Sequence, residues 1–274
     1  MAILPKTRQH LEQWIEWYAR IGYSAKGVIY GTLGLLALAQ AMDLRMGKAV
    51  GSEGALRAIA AQPWGRGMLM VLTISLGGYI TWRLIQAILD PEHKASCQGK
   101  DILRRFSYAC SGIAYAGVAY SAIKILTFSA TSTGKTPEQW ALEIILQPFG
   151  RYLLGTIGLS IFGIGCYYFY RAAKADFRKR FNRHAMSSVA KTWATIAGRF
   201  GIAARGFVYI VIGSYGVRAA YEFEPEMIKT TEDVLATFDN NPTDEWILAI
   251  LGVGFIAYGI HMGFQAAYRS IAPL

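Results

Sequence analysis

Six long apolar stretches separated by short polar segments dominate the pattern of hydrophobic and polar positions. Each is close to the roughly 20 residues that a helix needs to cross the hydrocarbon core of a bilayer. None contains an aspartate or a glutamate. They occupy residues 21–41, 65–89, 106–127, 150–170, 200–220 and 246–268. The pattern predicts an all-α, polytopic membrane protein with six transmembrane helices.

Composition supports this prediction, and the distribution of charge orients the chain. The sequence is 53% hydrophobic and only 17% charged, as is typical of membrane proteins. Its net charge of +10 would suggest nucleic-acid binding in a soluble protein. Here the termini and the loops 90–105 and 171–199 contain sixteen Lys and Arg, whereas the loops 42–64, 128–149 and 221–245 contain five. The positive-inside rule then predicts cytoplasmic termini, with anionic lipids at the cytoplasmic face as partners and no nucleic acid.

Alternate spans begin with similar sequences, which indicates an internal repeat. RIGYSAKGVIY starts at residue 20, RFSYACSGIAY at 105 and RFGIAARGFVY at 199. Shifts of 85 and 179 residues align the three copies without a gap over roughly seventy residues each. Two spans per copy give every copy the same orientation, so the repeats are parallel and their pseudo-axis follows the membrane normal. We predict three two-helix repeats around a pseudo-threefold axis; a row of three is the alternative.

The same alignment divides the chain and predicts a further short helix in each repeat. TPEQWALEIILQP, at 136–148, has an N-cap threonine, a proline at the first helical position and a terminal proline. SEGALRAIAAQP and TEDVLATFDNNP occupy the equivalent places and end at the equivalent proline, so each repeat contains a predicted outer amphipathic helix. The divisions are an interfacial amphipathic segment (1–19), repeat 1 (20–91), a cytoplasmic linker (92–104), repeat 2 (105–176), a basic cytoplasmic linker (177–198) and repeat 3 (199–274).

These motifs carry a resemblance to a known family. The triplicated two-helix unit, with its basic-x-G-x-x-Y start and its QPWGR or QPFGR turn, resembles the bacterial membrane family called domain of unknown function 1206. Repeat 3 departs at the turn, where NNPTDE replaces it. The resemblance implies three tandem two-helix transmembrane repeats in the inner membrane of a bacterium. It implies no activity, cofactor or site residue.

Two cations at the head of equivalent spans are candidate binding residues. Lys26 and Arg205 occupy the same repeat position, with Tyr30 and Tyr209 one turn deeper, whereas repeat 2 has Ser111 in place of the cation. The sequence favours snorkelling, in which the long side chain places its charge at the cytoplasmic interface. The alternative is that both cations and both tyrosines face the pseudo-axis and bind an anion or a lipid headgroup.

Glycines at the position after Lys26, Ser111 and Arg205 are expected to let helices pack closely: Gly27, Gly112 and Gly206.

His261 is the only histidine within a span and aligns with Trp82 of repeat 1. We expect it to pack and donate a hydrogen bond. Haem ligation and proton transfer are the alternative functional roles. The spans contain no second histidine for haem ligation and no carboxylate for a proton relay. The aligned Gln86 and Gln265 are further candidate polar residues within the membrane.

The sequence contains none of the common catalytic or metal-binding motifs, and its cysteines, Cys97, Cys110 and Cys166, suggest no disulfide framework. We therefore expect no enzymatic activity, no metal and no cofactor. The leading hypothesis is a non-enzymatic helical scaffold or a protein that binds lipid or a partner. The second is a transporter or channel for a small anion or neutral solute along the pseudo-axis. The third is an accessory subunit of a redox or photosynthetic complex, since the chain has many aromatic residues.

Overall fold

The computed structural model describes residues 5–44, 51–88, 99–127, 137–238 and 242–269, and it is nearly all helical. Its α-helices are α1 (Pro5–Ala41), α2 (Gly51–Ala60), α3 (Gly65–Ile88), α4 (Gly99–Leu126), α5 (Pro137–Ile145), α6 (Gly150–Lys174), α7 (Ser188–Glu222), α8 (Thr231–Thr237) and α9 (Pro242–Tyr268). Six of these, α1, α3, α4, α6, α7 and α9, are long and apolar enough to cross a membrane. This confirms the six predicted spans.

Each second span is preceded by one of the predicted short helices. In α2, Leu56 and Ile59 are buried while Glu53 and Arg57 are exposed, so the helix is amphipathic as predicted. Helix α8 begins with a capping box in which Thr230 and Asp233 exchange hydrogen bonds. The predicted N-cap of α5, at residue 136, lies outside the described residues. We call the end of the bundle that carries these three helices the capped end, and the opposite end the terminal end.

The QPWGR and QPFGR turns need their glycine because the chain approaches itself there. A Cβ on Gly65 would lie 2.0 Å from the carbonyl oxygen of Ile59, and one on Gly150 would lie 1.6 Å from that of Ile144. No side chain fits at such a distance. The glycine therefore lets the short helix turn directly into the second span.

The predicted interfacial segment at 1–19 forms no separate element. Helix α1 runs from Pro5 through this segment into the first span without a break. Side chains before Glu16 lie outside the described part of the chain, so the amphipathic face and the division at residue 19 stay predictions.

Spans of neighbouring repeats pack against each other, α3 on α4, α6 on α7 and α9 on α1. A Cβ on Gly27 would lie 3.0 Å from the carbonyl oxygen of Gly259, and one on Gly206 would lie 3.0 Å from that of Gly165. These helices therefore approach to backbone contact. Gly112 is less tightly packed, because an added Cβ would have its nearest neighbour, Arg83 Cβ, at 3.5 Å.

The arginine that begins each repeat links it to the second span of another repeat. Arg105 donates to the carbonyl oxygen of Ile88 (2.5 Å) and Arg199 to that of Ala173 (3.3 Å). Arg20 closes the cycle by donating to Ala267 (2.7 Å), the equivalent carbonyl of repeat 3. Repeat 1 thus contacts both other repeats. A pseudo-threefold axis stays a prediction.

Repeat 2 lacks the contact that joins the two spans within repeats 1 and 3. A Cβ on Gly22 would lie 2.5 Å from Tyr79 Cβ, and one on Gly201 would lie 2.4 Å from the Tyr258 nitrogen. Repeat 2 has Ser107 and Ile164 at these positions. Its spans α4 and α6 make at most marginal contact among the described residues. The three repeats are therefore similar in sequence and unequal in packing.

Candidate functional site

Two cations lie buried among tyrosines between the spans. The side chains of Lys26 and Arg205 are 4% and 7% exposed. No carboxylate in the part of the chain that the structure describes forms an ion pair with either. Lys26 therefore does not snorkel to the interface as the sequence favoured, because its ammonium group is enclosed by protein.

The two cations make equivalent hydrogen bonds. Lys26 Nζ donates to Tyr79 Oη at 3.2 Å, and Arg205 Nη1 donates to Tyr258 Oη at 2.6 Å. Each tyrosine follows its cation by 53 residues, on the second span of the same repeat. The equivalent pair in repeat 2 is Ser111 and Ile164, which cannot form such a bond. The pair is therefore present in repeats 1 and 3 only.

Tyrosine rings surround both charges. Lys26 Nζ lies 4.4 to 5.8 Å from the ring centres of three tyrosines, Tyr79, Tyr115 and Tyr258. The Arg205 guanidinium lies 4.7 to 5.5 Å from those of four, Tyr30, Tyr168, Tyr209 and Tyr258. A desolvated cation–π contact contributes up to about 2 kcal/mol. We call these two cations and six tyrosines the cation–tyrosine cluster.

The four residues that the sequence singled out for anion or headgroup binding all belong to this cluster. Arg205 stacks on Tyr30 and donates a hydrogen bond to Tyr209. Tyr115 Oη donates to Tyr30 Oη at 3.3 Å, which joins repeats 1 and 2. Sequence reasoning missed Tyr79 and Tyr258. The shared spacing of 53 residues, visible once the repeats are aligned, would have identified them.

A cavity of about 20 Å³ lies beside Arg205, and residues of the capped-end helices α2 and α8 form part of its lining. This is room for about one water-sized group. Side chains from three spans and from the short helices α2 and α8 line it: Tyr30, Leu33, Ser52, Arg205, Val208, Tyr209, Thr231 and Phe255. Next to this lining, burial and the nearby Asp233 and Glu53 carboxylates raise the pKa of the Glu232 carboxyl above its ordinary value.

A third cation continues the cluster towards the terminal end. Arg83 Nε donates to Tyr79 Oη at 2.8 Å, so this hydroxyl accepts from both Arg83 and Lys26. Arg83 Nη1 donates to Gln86 Oε1 at 2.8 Å. Ser111 Oγ lies 3.4 Å from Tyr79 Oη, so repeat 2 contributes a hydroxyl in place of its missing cation. Arg205, Lys26 and Arg83 thus form a series of positive groups linked by tyrosines.

His261 and Gln265 belong to a separate network at the terminal end. His261 is fully buried, and its Nε2 lies 2.9 Å from Gln265 Nε2. Gln265 Oε1 accepts a hydrogen bond from Arg269 Nη1 at 2.9 Å. The rings of Phe177 and Phe181, from the linker between repeats 2 and 3, meet the imidazole edge-on at 4.8 and 5.8 Å between centres. The histidine is therefore packed as expected, but in this contact its Nε2 accepts a hydrogen bond instead of donating one, because the amide nitrogen can only donate.

Comparison with known proteins finds the same triplication. The model of the family described as Domain of Unknown Function (DUF1206) matches three times in tandem, at residues 21–90, 106–175 and 200–269. Uncharacterized protein YxxB of Bacillus subtilis (strain 168) is 29% identical over 267 residues, which cover 97% of this chain and 95% of that protein. No solved structure matches the chain. Since the three family segments cover most of the sequence and coincide with its repeats, the chain belongs to the DUF1206 family.

Proposed function

We propose that this protein binds a small anion inside the membrane, at Arg205, and passes it across the bilayer. The observation that carries the proposal is the buried Arg205 guanidinium beside a small cavity, hydrogen-bonded to tyrosine hydroxyls and without a carboxylate ion pair among the described residues. This was the second hypothesis from the sequence. The geometry supports it better than the scaffold hypothesis.

The first argument concerns charge. An ion that is removed from water without a counter-ion costs several kcal/mol even after the protein relaxes. Arg205 and Lys26 are both buried, and Arg83 is partly buried beside them. Cation–π contacts offset part of this cost and leave the positive charges in place. A bound anion in the cavity would neutralise the nearest of them, Arg205.

The second argument concerns hydrogen bonding. Tyr209, which lines the cavity, accepts a hydrogen bond from Arg205, so the proton of its hydroxyl group stays available as a donor. Ser52 and Thr231 add two more hydroxyls to the cavity lining. A guanidinium with several hydroxyl donors around a water-sized space suits a small inorganic anion such as chloride. The volume is too small for a bulky organic anion.

The third argument concerns the route. Arg205, Lys26 and Arg83 connect the cavity below the capped end with the region near the end of α3. An anion would move between these positive groups as tyrosine hydroxyls exchange partners. Helices α2 and α8 lie across the capped end, so passage requires them to move. We place the terminal end in the cytoplasm of a bacterial cell and the protein in its inner membrane, as the distribution of Lys and Arg supports.

Chloride efflux from proteoliposomes tests this proposal. We expect Arg205→Gln to lower the rate at least tenfold, because it removes the charge beside the cavity. Arg218→Gln is the matched control, since Arg218 is an exposed cation on the same helix that pairs with Glu222. It should stay within twofold of the wild type. Tyr209→Phe, which retains the ring, provides a second variant if Arg205→Gln does not fold. Equal efflux from wild-type and empty liposomes would overturn transport.

A second candidate is the scaffold that the sequence favoured. The observation for it is that seven ring contacts already surround the two buried charges, so the cluster can act as a polar core that fixes three repeats in register. On this account, anions change neither the stability nor the activity of the protein. A thermal unfolding series from 0 to 200 mM chloride at constant ionic strength separates the two: binding predicts a rising midpoint that Arg205→Gln abolishes.

A further inference from the structure

The boundary between repeats 3 and 1 contains a cation, a glutamine and a tyrosine in mutual contact. Arg269 donates to Gln265 Oε1, and its guanidinium lies 5.0 Å from the centre of the Tyr23 ring. The amide group of Gln265 is also satisfied, because its Nε2 lies 2.9 Å from His261 Nε2. Since the amide nitrogen can only donate, the imidazole nitrogen accepts this hydrogen bond. Both polar atoms of the Gln265 amide therefore have a hydrogen-bond partner.

The boundary between repeats 1 and 2 has a similar arrangement, in which the arginine lies three residues before the glutamine instead of four after it. Arg83 donates to Gln86 Oε1 at 2.8 Å and lies 5.1 Å from the centre of the Tyr108 ring. Gln86 and Tyr108 are the repeat equivalents of Gln265 and Tyr23. Trp82 stands where repeat 3 has His261. An indole N–H donates and cannot accept, so Trp82 cannot replace the histidine as an acceptor for the glutamine.

The consequence is a set of buried donors without acceptors. Gln86 Nε2, Trp82 Nε1 and Tyr108 Oη have no hydrogen-bond partner. The three residues are 0%, 1% and 5% exposed. A buried polar group without a partner costs free energy, and natural structures leave few of them. Here all three atoms can donate, and the partly buried Arg83 lies among their residues without a carboxylate ion pair in the described ranges.

We propose that Arg83, Gln86 and Tyr108 bind an anionic phosphate oxygen at the boundary between α3 and α4. An anionic oxygen accepts several hydrogen bonds, donates none and neutralises Arg83. A water molecule would bring two protons of its own that need acceptors, and it would leave the charge uncompensated. The hydrogen bonds to Tyr79 and Gln86 use two of the five N–H groups of Arg83, which leaves donors for a ligand.

The position along the helix favours a lipid headgroup as the source of this phosphate. Gln86 lies two residues before the end of α3, about 3 Å by helical rise, at the depth where headgroups meet the hydrocarbon. Leu84, Ile88 and Phe106 lie within two residues of Arg83, Gln86 or Tyr108 along the chain and are exposed, so an acyl chain can lie against them. Basic pockets between spans at the cytoplasmic face are typical sites for anionic lipids. Free phosphate offers the same chemistry, so the experiment must distinguish the two sources.

The test uses the full chain, freed of lipid in a neutral detergent. Phosphatidylglycerol, phosphatidylcholine and inorganic phosphate are titrated separately, and binding is measured from the shift of the thermal unfolding midpoint. Tyr108→Phe removes one hydroxyl and Gln86→Met removes the amide. Tyr23→Phe is the matched control at the equivalent position of the repeat 3–1 boundary. The proposal does not depend on transport at Arg205, because none of these residues lines that cavity.

We expect phosphatidylglycerol to raise the midpoint of the wild type, and its affinity to fall about tenfold in Tyr108→Phe and in Gln86→Met, as for a lost hydrogen bond to a charged group. The affinity of Tyr23→Phe should match the wild type. Protection by inorganic phosphate as well would identify the phosphate alone as the ligand, and protection by phosphatidylglycerol only would identify the lipid. Without ligand, Tyr108→Phe should not lower the midpoint, since its hydroxyl has no partner to lose. Equal affinity in the wild type and both variants, or no protection by either phosphate source, would overturn the site.

Discussion

Repeats 1 and 3 share an interface between their two spans that repeat 2 lacks, whereas repeats 1 and 2 share the QPWGR or QPFGR turn that repeat 3 lacks. Repeats 1 and 3 each pair a first-span glycine with a second-span tyrosine, and the same tyrosine accepts a hydrogen bond from a buried cation. Repeat 2 has a serine for the glycine, Ser111 for the cation and Ile164 for the tyrosine. The three positions belong to one contact, because in repeats 1 and 3 the glycine and the cation both meet the same tyrosine.

This difference teaches how a cluster of like charges is accommodated. Three cations of the Lys26 type around one centre would repel each other strongly in a medium of low dielectric constant. Repeat 2 supplies Ser111 and Tyr115 instead, which add hydroxyls to the cluster without adding charge. The cost is a weak contact between α4 and α6, so repeat 2 is held mainly by its neighbours, α3 and α7.

The largest effect should come from filling the glycine contact of repeat 1. Gly22→Val places a branched side chain against the backbone of Tyr79, and overpacking of this kind costs about 1–3 kcal/mol. We expect a loss near 3 kcal/mol, because the obstructing atoms are backbone. Ser107→Val is the control in repeat 2 and should cost less than about 1 kcal/mol. Unfolding in mixed micelles with increasing denaturing detergent measures both, and equal losses would contradict the comparison.

The next effect concerns the tyrosine that accepts the hydrogen bond. Tyr258→Phe removes the acceptor of Arg205 and leaves the ring, so it should cost about 1.5–3 kcal/mol, the range for a hydrogen bond to a charged group. Tyr79→Phe should cost a similar amount, since Lys26 and Arg83 both donate to it. Tyr167→Phe in repeat 2 changes an exposed ring and should be neutral. The same unfolding assay applies; a neutral Tyr258→Phe would show that the ring alone stabilises Arg205.

A smaller effect should distinguish two of the three arginines that link the repeats, Arg20 and Arg199. Arg20 donates to three carbonyl groups at the end of α9 and near it, whereas Arg199 makes one longer hydrogen bond from an exposed position. We expect Arg20→Gln to cost about 1 kcal/mol and Arg199→Gln a few tenths, because exposed contacts contribute little. Thermal midpoints in one detergent give the order, and the reverse order would contradict it.

The smallest effect should come from the acidic residue next to the cavity lining. The pKa of Glu232 is raised above the ordinary 4.5 in the folded protein, so its carboxyl group keeps its proton to a higher pH. The carboxylate charge forms as the pH rises through this raised pKa. That charge destabilises the folded capped end and repels an anion. We expect chloride affinity to fall as the pH rises above about 4.5 and Glu232→Gln to raise it two- to threefold at pH 7. Titration of wild type and variant at pH 5 and pH 7 checks this; a pH dependence unchanged in the variant would exclude Glu232 as its source.

Much of the fold could be predicted from the sequence because the constraints of the bilayer act along the chain. Span length, the absence of acids in the spans and the gap-free repeat gave the six helices and their order. The short helices followed from capping residues and terminal prolines. The sequence could not show which partners meet across the bundle, since the most extensive contacts join spans of different repeats, as where Gly27 meets Gly259.

The sequence predicts that Lys26, Arg205, Tyr30 and Tyr209 share a place in the repeat, and the structure brings all four into the cation–tyrosine cluster; their role in binding stays a prediction. Lys26, however, was expected to extend to the interface. Its burial depends on Tyr79 and Tyr115, which come from α3 and α4. Hydropathy along one helix cannot reveal such partners. Alignment of the second spans, which relates Tyr79 to Tyr258, is the signal that would have revealed them.

The central claim is that an anion binds beside Arg205, and the most direct measurement is an anomalous diffraction map from crystals grown in bromide. The account predicts a bromide peak in the cavity between Arg205, Tyr209 and Thr231, and the loss of this peak in Arg205→Gln crystals grown under the same conditions. Bromide found only at the protein surface, or a cavity peak that persists in Arg205→Gln, would contradict it.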